Sequence, residues 1–225
     1  MAHRYFVDRI PDAKRTLLEG DTAHHLKRVL RVRPGSVVVL GDGRGLECPA
    51  RIHSCTAAGV EVELGQVRAV AAHSPRVELA FAVPRMSRAD WLFEHATEAG
   101  VAAFHPLRTA RSRPGEGRAD RWLRICRAAA GQCDRAHVPL VHEIRDLAEF
   151  LADPSLPCRR LLASPEGERA LAAIEDTVLL VGPEGGLDPQ ERAAAARAGF
   201  SPVRLGPPVL RTETAALVGA ALLLA

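Results

Sequence analysis

In the run Val178-Leu-Leu-Val-Gly-Pro-Glu-Gly-Gly-Leu-Asp188 an apolar segment enters a tight Gly/Pro turn and then a helix. Leu205-Gly-Pro-Pro-Val-Leu-Arg-Thr-Glu-Thr-Ala215 repeats the arrangement some twenty residues on. Four or five consecutive apolar residues bounded by turn residues suit a strand buried on both faces. Two loops that each follow such a strand offer backbone amides to one small ligand.

The flanking residues fix where the helices begin. Asp188-Pro-Gln-Glu191 supplies an N-cap carboxylate, a proline at the first helical position and a glutamate at the third, and Gly199 stops the helix after Ala198. The helix from Thr212 is apolar nearly all round (Ala215, Ala216, Leu217, Val218, Ala220 to Leu224), the pattern of a helix covered on more than one side. A homodimer with this helix at or near its interface is expected.

Upstream, apolar strands alternate with helical patterns from Val77 onward. Strands are expected at 77–83, 101–107, 138–141, 159–163, 177–181 and 202–205. Helices are expected at 88–99, 118–133, 145–151, around Arg169, at 189–198 and at 212–224. This alternation predicts an α/β domain built on a mostly parallel sheet with helices on both faces. Before Ala71-Ala-His-Ser-Pro75 the pattern differs. Short strands at 37–40, 47–52 and 60–64 are separated by glycine turns, and one helix is inserted from Asp21 to Val32, which reads as a small β-barrel. The expected domains are 1–72 and 73–225, with Ser112 to Gly117 as a mobile loop.

At 225 residues and 47% apolar side chains, the chain is long and apolar enough for one sizeable core or two modest ones, which excludes a disordered or fibrous protein. Lysine appears only as Lys14 and Lys27, so the positive charge is carried by arginine, whose planar fork suits phosphate. The five cysteines are odd in number and contain no Cys-x-x-Cys, so neither a disulfide framework nor a zinc knuckle is indicated, and no metal is expected. Charged residues fill Met1 to Ile10 where a secretory signal needs an apolar run, and no segment is long enough to span a bilayer. A cytoplasmic protein without membrane association is expected.

Gly41-Asp-Gly-Arg-Gly45, with Glu63 about twenty residues on, superficially matches a dinucleotide fingerprint. The residues that follow, Leu46 to Ile52, form a strand pattern and not a helix, so the glycines read as a hairpin turn. Gly182 to Gly186 lacks the Lys-Ser/Thr pair of a triphosphate loop, so a ligand there is something other than a nucleoside triphosphate.

Gly-Pro-Glu-Gly-Gly at 182–186 followed by Leu-Gly-x-x-x-Leu-Arg-Thr-Glu-Thr-Ala at 205–215 closely resembles the ribosomal RNA small-subunit methyltransferase E family, within the SPOUT superfamily. Weaker similarity continues through Ala96-Thr-Glu-Ala-Gly-Val101, Pro106 to Ser112 and Ala129 to Arg135. In the amino-terminal part it includes His3-Arg4-Tyr5-Phe6 and His24 to Arg31. Ala99, Ala110, Asp134 and the Met86-Ser87 pair depart from the family pattern, all outside the two glycine loops.

The resemblance implies a PUA-like RNA-binding barrel, then a knotted SPOUT domain that binds S-adenosyl-L-methionine, dimerises and methylates N3 of one uridine in 16S rRNA of the assembled small ribosomal subunit. The cofactor candidates are Val181, Gly182, Glu184, Gly185 and Gly186 from the first motif. Leu205, Gly206, Val209, Leu210, Thr214 and Ala215 come from the second. Because uracil N3 is a poor nucleophile until it loses a proton, the site needs a cation beside the uracil oxygens and an acceptor for that proton. Arg211 is the candidate cation and Glu213 the candidate acceptor; an ion pair between the two is the alternative. Arg4, His24, Lys27, Arg28, Arg31, Arg111 and Arg135 are the RNA candidates, the helical ones spaced opposite an apolar stripe of Leu26, Val29 and Leu30. The rival readings are a ribose 2′-O-methyltransferase of the same superfamily, which would carry Ser-Leu-Asn where this chain has Arg211 to Thr214, a non-catalytic ribosome-binding factor, and a nicotinamide-dependent enzyme.

Overall fold

The computed structural model describes residues 3–28, 31–112, 119–169 and 172–225. Two compact units emerge, Met1–Ala72 with Ala130–Val138, and His73–Ala129 with Pro139–Ala225.

In the first unit β1 (Arg4–Phe6), β2 (Arg15–Leu18), α1 (Gly20–Arg28), β3 (Val37–Gly41), β4 (Leu46–Cys55), β5 (Val60–Leu64) and β6 (Arg68–Ala69) follow in order. The sheet runs β1-β3-β4-β5-β2, with β6 paired to β4, and only β1-β3 is parallel. Alternation sends Val38, Leu40, Ala50, Ile52, Val60 and Val62 inward, where they meet Leu26 of α1. The Gly41–Gly45 turn is the expected hairpin. Asp42 Oδ1 accepts from the amides of Arg44 at 2.7 Å and Leu46 at 3.0 Å, an aspartate turn that leaves no place for a phosphate-binding helix. The inserted helix ends at Arg28, and Arg31 has φ +50°, which no helix accommodates. Val29 and Leu30 of the expected stripe lie outside the described residues, while Leu26 is fully buried. The segment 130–138 groups with this unit: Val138 N donates to Gly43 O at 2.9 Å, His137 bridges Arg44, and Asp134 Oδ1 lies 3.6 Å from Arg4. A single cut near residue 72 cannot express that return.

The second unit comprises β7 (Val77–Ala82), α2 (Met86–Ala99), β8 (Ala103–Arg108), α3 (Ala119–Gln132, its last turn counted with the first unit), β9 (Leu140–Val141), β10 (Arg145–Asp146), α4 (Leu147–Leu151), β11 (Arg159–Arg169), β12 (Thr177–Val181), α5 (Pro189–Arg197), β13 (Ser201–Arg204) and α6 (Thr212–Leu224). Its seven strands are all parallel, in the order β10-β8-β7-β12-β11-β13 with β9 beside β8. All five residues of β12 are buried, as expected for a strand covered on both faces. Val178 and Leu180 pack with Phe150, Leu187, Ala195 and Phe200 on the α4/α5 side. Leu179 faces α6, so closely that a Cβ at Gly219 would stand 2.2 Å from its Cδ2. Glycine is what lets α6 lie against the sheet at that point. Beneath α2, Phe93 stacks on Trp122 at 4.6 Å and meets Phe81 edge-on at 5.6 Å.

One helix expectation fails. Around Arg169 the chain is the end of β11, with Arg169 paired to Arg204 of β13. Helix-favouring residues there are overridden by pairing with a neighbouring strand, since β propensity follows context. The start of the expected helix at 145–151 is likewise a short strand, β10. Five residues of the expected mobile loop, 113–117, lie outside the described residues.

Candidate functional site

The two glycine loops leave the carboxy-terminal ends of β12 and β13, which flank β11 in the sheet. They converge on a cavity of about 390 Å³, within the range of small-molecule sites. One wall is Val181 to Leu187 and the opposite wall Arg204 to Leu210, with Thr212 and Ala215 of α6 at the base. A third wall, Leu162 to Glu166, was not foreseen. It arises because Ala163 and Glu168 of β11 both register with Val203 of β13, so the four residues between them bulge out of the ladder. No local motif announces a bulge whose cause is a partner strand forty residues away in the chain, roughly.

Local chemistry sets the first loop. Gly186 N donates to Pro183 O at 2.7 Å, closing a turn, and Gly186 has φ +71°, a region that side chains with a Cβ rarely enter. Behind it Asp188 Oδ1 accepts from Glu191 N at 2.7 Å while Glu191 Oε2 accepts from Asp188 N at 2.9 Å, the reciprocal cap expected from Asp188-Pro-Gln-Glu191. Glu191 Oε1 also accepts from the Ala110 amide at 2.7 Å, and Arg111 Nη1 donates to Gly185 O at 2.6 Å. The end of β8 thereby holds the turn. On the α6 side Thr212 Oγ1 donates to Gly182 O at 3.0 Å, tying the second motif to the first.

Of the cofactor candidates, Val181, Gly182, Glu184, Gly185, Gly186, Leu205, Gly206, Val209, Leu210 and Ala215 line the cavity; Thr214 does not. Val209 is 86% exposed although it lines the wall, so its side chain is available to a ligand. Arg211 caps α6 between two lining residues and is exposed, with no side-chain ion pair among the described residues. Glu213 is buried, and its partner is Arg88 of α2, Nε to Oε1 3.5 Å, rather than Arg211. The alternative Arg211–Glu213 pair is therefore not formed. Arg88 also holds Glu184, Nη1 to Oε1 2.6 Å. Nothing in the sequence near Arg88 joins it to either loop, so it was missed.

A family model described as an RNA methyltransferase domain matches residues 72–224, and one described as an RNA methyltransferase PUA domain matches residues 18–62. The ribosomal RNA small subunit methyltransferase E of Mycobacterium bovis is 35% identical over 240 residues, 97% of this chain and 89% of the relative. The chain belongs to the ribosomal RNA small subunit methyltransferase E family. A family E enzyme from Neisseria gonorrhoeae, solved bound to S-adenosyl methionine, is 31% identical with a TM-score of 0.87, covering 98% of this chain and 96% of its own. A methyltransferase from Legionella pneumophila, solved in complex with the cofactor SAM, is 28% identical with a TM-score of 0.88, covering 98% and 96%. Family E membership accounts for both units, a PUA-like domain followed by an α/β unit of SPOUT type.

The RNA candidates scatter more than family E resemblance suggested. His24, Arg28 and Arg31 are exposed on or just beyond α1, whereas Lys27 is half-buried and donates to Thr56 O at 2.9 Å. Arg4 is almost wholly buried against Glu47, which leaves it little surface for RNA. Arg111 braces the glycine loop. Arg135, read as part of the α/β domain, groups with the first unit because the chain returns there after α3. Among the described residues no helix is long and apolar enough to cross a membrane.

Proposed function

We propose that this chain is an S-adenosylmethionine-dependent methyltransferase acting on N3 of one uridine in 16S rRNA of the assembled small ribosomal subunit, working as a homodimer. The observation that carries the reading is the convergence of both glycine loops on one cavity. Its walls supply backbone groups from 182–186 and 205–210 and apolar surface from Leu162, Val181, Leu187, Leu205 and Leu210. Such walls fit an adenosine with a sulfonium chain better than a string of phosphates, because neither loop carries the lysine that phosphates demand. The family E structure with bound S-adenosyl methionine supports the same ligand.

When bound, the cofactor supplies an electrophilic methyl group. The chain's own contribution is orientation and charge. The two loops hold the donor, and Arg211, exposed at the start of α6 between the lining residues Leu210 and Thr212 and without an ion-pair partner among the described residues, is assigned to the developing negative charge on a deprotonated uracil. Glu213 does not line the cavity, so its carboxylate is assigned to anchoring Arg88, and the N3 proton is given up to solvent water as the methyl group is transferred. The half-buried apolar remainder of α6, including Leu217, Val218 and Leu222, is the surface we assign to the second protomer.

The test is mass mapping of nucleosides after incubating unmodified small subunits with the protein and methyl donor. N3-methyluridine at a single position is expected; a ribose-methylated product moves the chain to the other branch, and no product with measurable cofactor binding leaves a binding factor. RNA affinity should also fall with salt, the logarithmic slope losing about 0.7 for each phosphate contact removed. Arg28→Ala, at an exposed position on α1, should flatten that slope by about this amount while weakening all sequences alike. An unchanged slope removes Arg28 from the RNA surface.

A further inference from the structure

Arg88 lies in the first turn of α2, far in sequence from both glycine loops, yet its guanidinium joins the first of them to α6. Nη1 donates to Glu184 Oε1 at 2.6 Å on the first loop, and Nε lies 3.5 Å from Glu213 Oε1 on α6. The environments of the two carboxylates differ. The Glu184 side chain is 62% exposed and stands on the cavity wall, whereas that of Glu213 is 9% exposed and stands off it. An exposed Arg–Glu pair by itself is worth little, because two long side chains must be immobilised for a screened attraction. Here the ion pair with the buried carboxylate already restrains the arginine, so it is mainly the Glu184 side chain that remains to be ordered.

We infer that Arg88 is a positioning residue for ligand binding, clamping the Gly182–Gly186 turn through Glu184 to the buried Glu213 of α6. The inference rests on the cavity being the cofactor site. In it Glu213 is the anchor, Arg88 the link and Glu184 the handle of the loop. The clamp acts in parallel with the Thr212–Gly182 hydrogen bond, so the turn is tied to α6 at two points, at its first residue directly and at its middle through α2.

Calorimetric binding of S-adenosylmethionine to the full chain and its variants tests this. Arg88→Met should weaken binding about tenfold, the size of one charge-assisted hydrogen bond, and Arg88→Lys should recover part of it, since one ammonium cannot serve two carboxylates on separate edges. Glu184→Gln should cost a similar factor, and Arg88→Met combined with Glu184→Gln should be no weaker than the worse single variant. Equal affinity of Arg88→Met and wild type, or additive losses in the double variant, overturns the clamp. If Arg88→Met alone fails to fold because it leaves Glu213 buried without a cation, Glu184→Gln, which keeps the Arg88–Glu213 pair intact, decides, and unchanged affinity together with unchanged loop exchange in that variant overturns the clamp. Hydrogen exchange of the 182–187 amides without ligand supplies the separate arm. Arg88→Met should accelerate it while amides of β7 and β12 stay protected. A wild-type chain that binds no S-adenosylmethionine sinks the functional reading, and the exchange result still decides the clamp: unaltered loop exchange overturns it.

Discussion

Arg211→Ala is expected to leave S-adenosylmethionine affinity within about twofold of wild type and to cut single-turnover methyl transfer by about 10²–10³, the loss typical when one donor to a developing oxyanion is removed. The geometry separates the two effects. Leu210 and Thr212 line the cavity, whereas Arg211 is exposed, lies outside the lining and makes no ion pair among the described residues, so cofactor contacts do not depend on it. A cation without an ion pair among the described residues is also not spent on the fold, which is what distinguishes it from Arg88. Arg211→Lys should recover part of the rate by keeping the charge while losing the fork. A single-turnover rate unchanged in Arg211→Ala removes this residue from the mechanism.

Glu47→Ala should cost about 3–5 kcal/mol of stability in urea unfolding, the loss seen when one partner of a buried ion pair is removed. Glu47 is 1% exposed, its Oε2 accepts from Arg4 Nη2 at 2.7 Å, and its Oε1 accepts from Arg68 Nη2 at 2.6 Å and Nε at 2.8 Å. The Arg4 side chain is 8% exposed, so the substitution leaves a buried guanidinium that, among the described residues, has only Asp134 at 3.6 Å to offset it. Burial pushes the Glu47 carboxyl upward, but hydrogen bonds from Arg68 and Arg4 outweigh it and the net shift is downward. A carboxyl whose native value is depressed contributes its stability above the ordinary carboxylate range and loses it as pH falls through the depressed native value. Wild type should therefore lose stability on acidification in a way that Glu47→Ala does not, and parallel curves for the two proteins would refute the assignment.

Legibility tracked the distance over which each feature is decided. The turn at Gly182–Gly186, the cap at Asp188 and the hairpin at Gly41–Gly45 are settled within a few residues, and each stands where its residues said. β1 and β2 were not legible, because three or four residues beside charged neighbours show no alternation, and they are strands through pairing with Val39–Gly41 of β3 and Val60–Glu63 of β5. The bulge of β11, the third wall of the cavity, is created by Val203. The link from Glu213 to Glu184 runs through an arginine on a different helix. The return of 130–138 to the first unit belongs to the same class. In each case the deciding partner lies tens of residues away, and no pattern within one segment can encode it.

The parallel register of β12 with β7, Thr177 beside Val77, has a kinetic meaning. A sheet whose central pair joins such remote segments must close a long loop before any contact rewards the closure, which makes assembly slow. The complete cavity needs that pair, because Thr212 and Ala215 of its lining belong to α6, which packs on both β7 and β12. A ligand held there acts on the lifetime of the finished molecule, retarding its escape to the unfolded ensemble, and contributes nothing to the speed with which the chain first finds its shape.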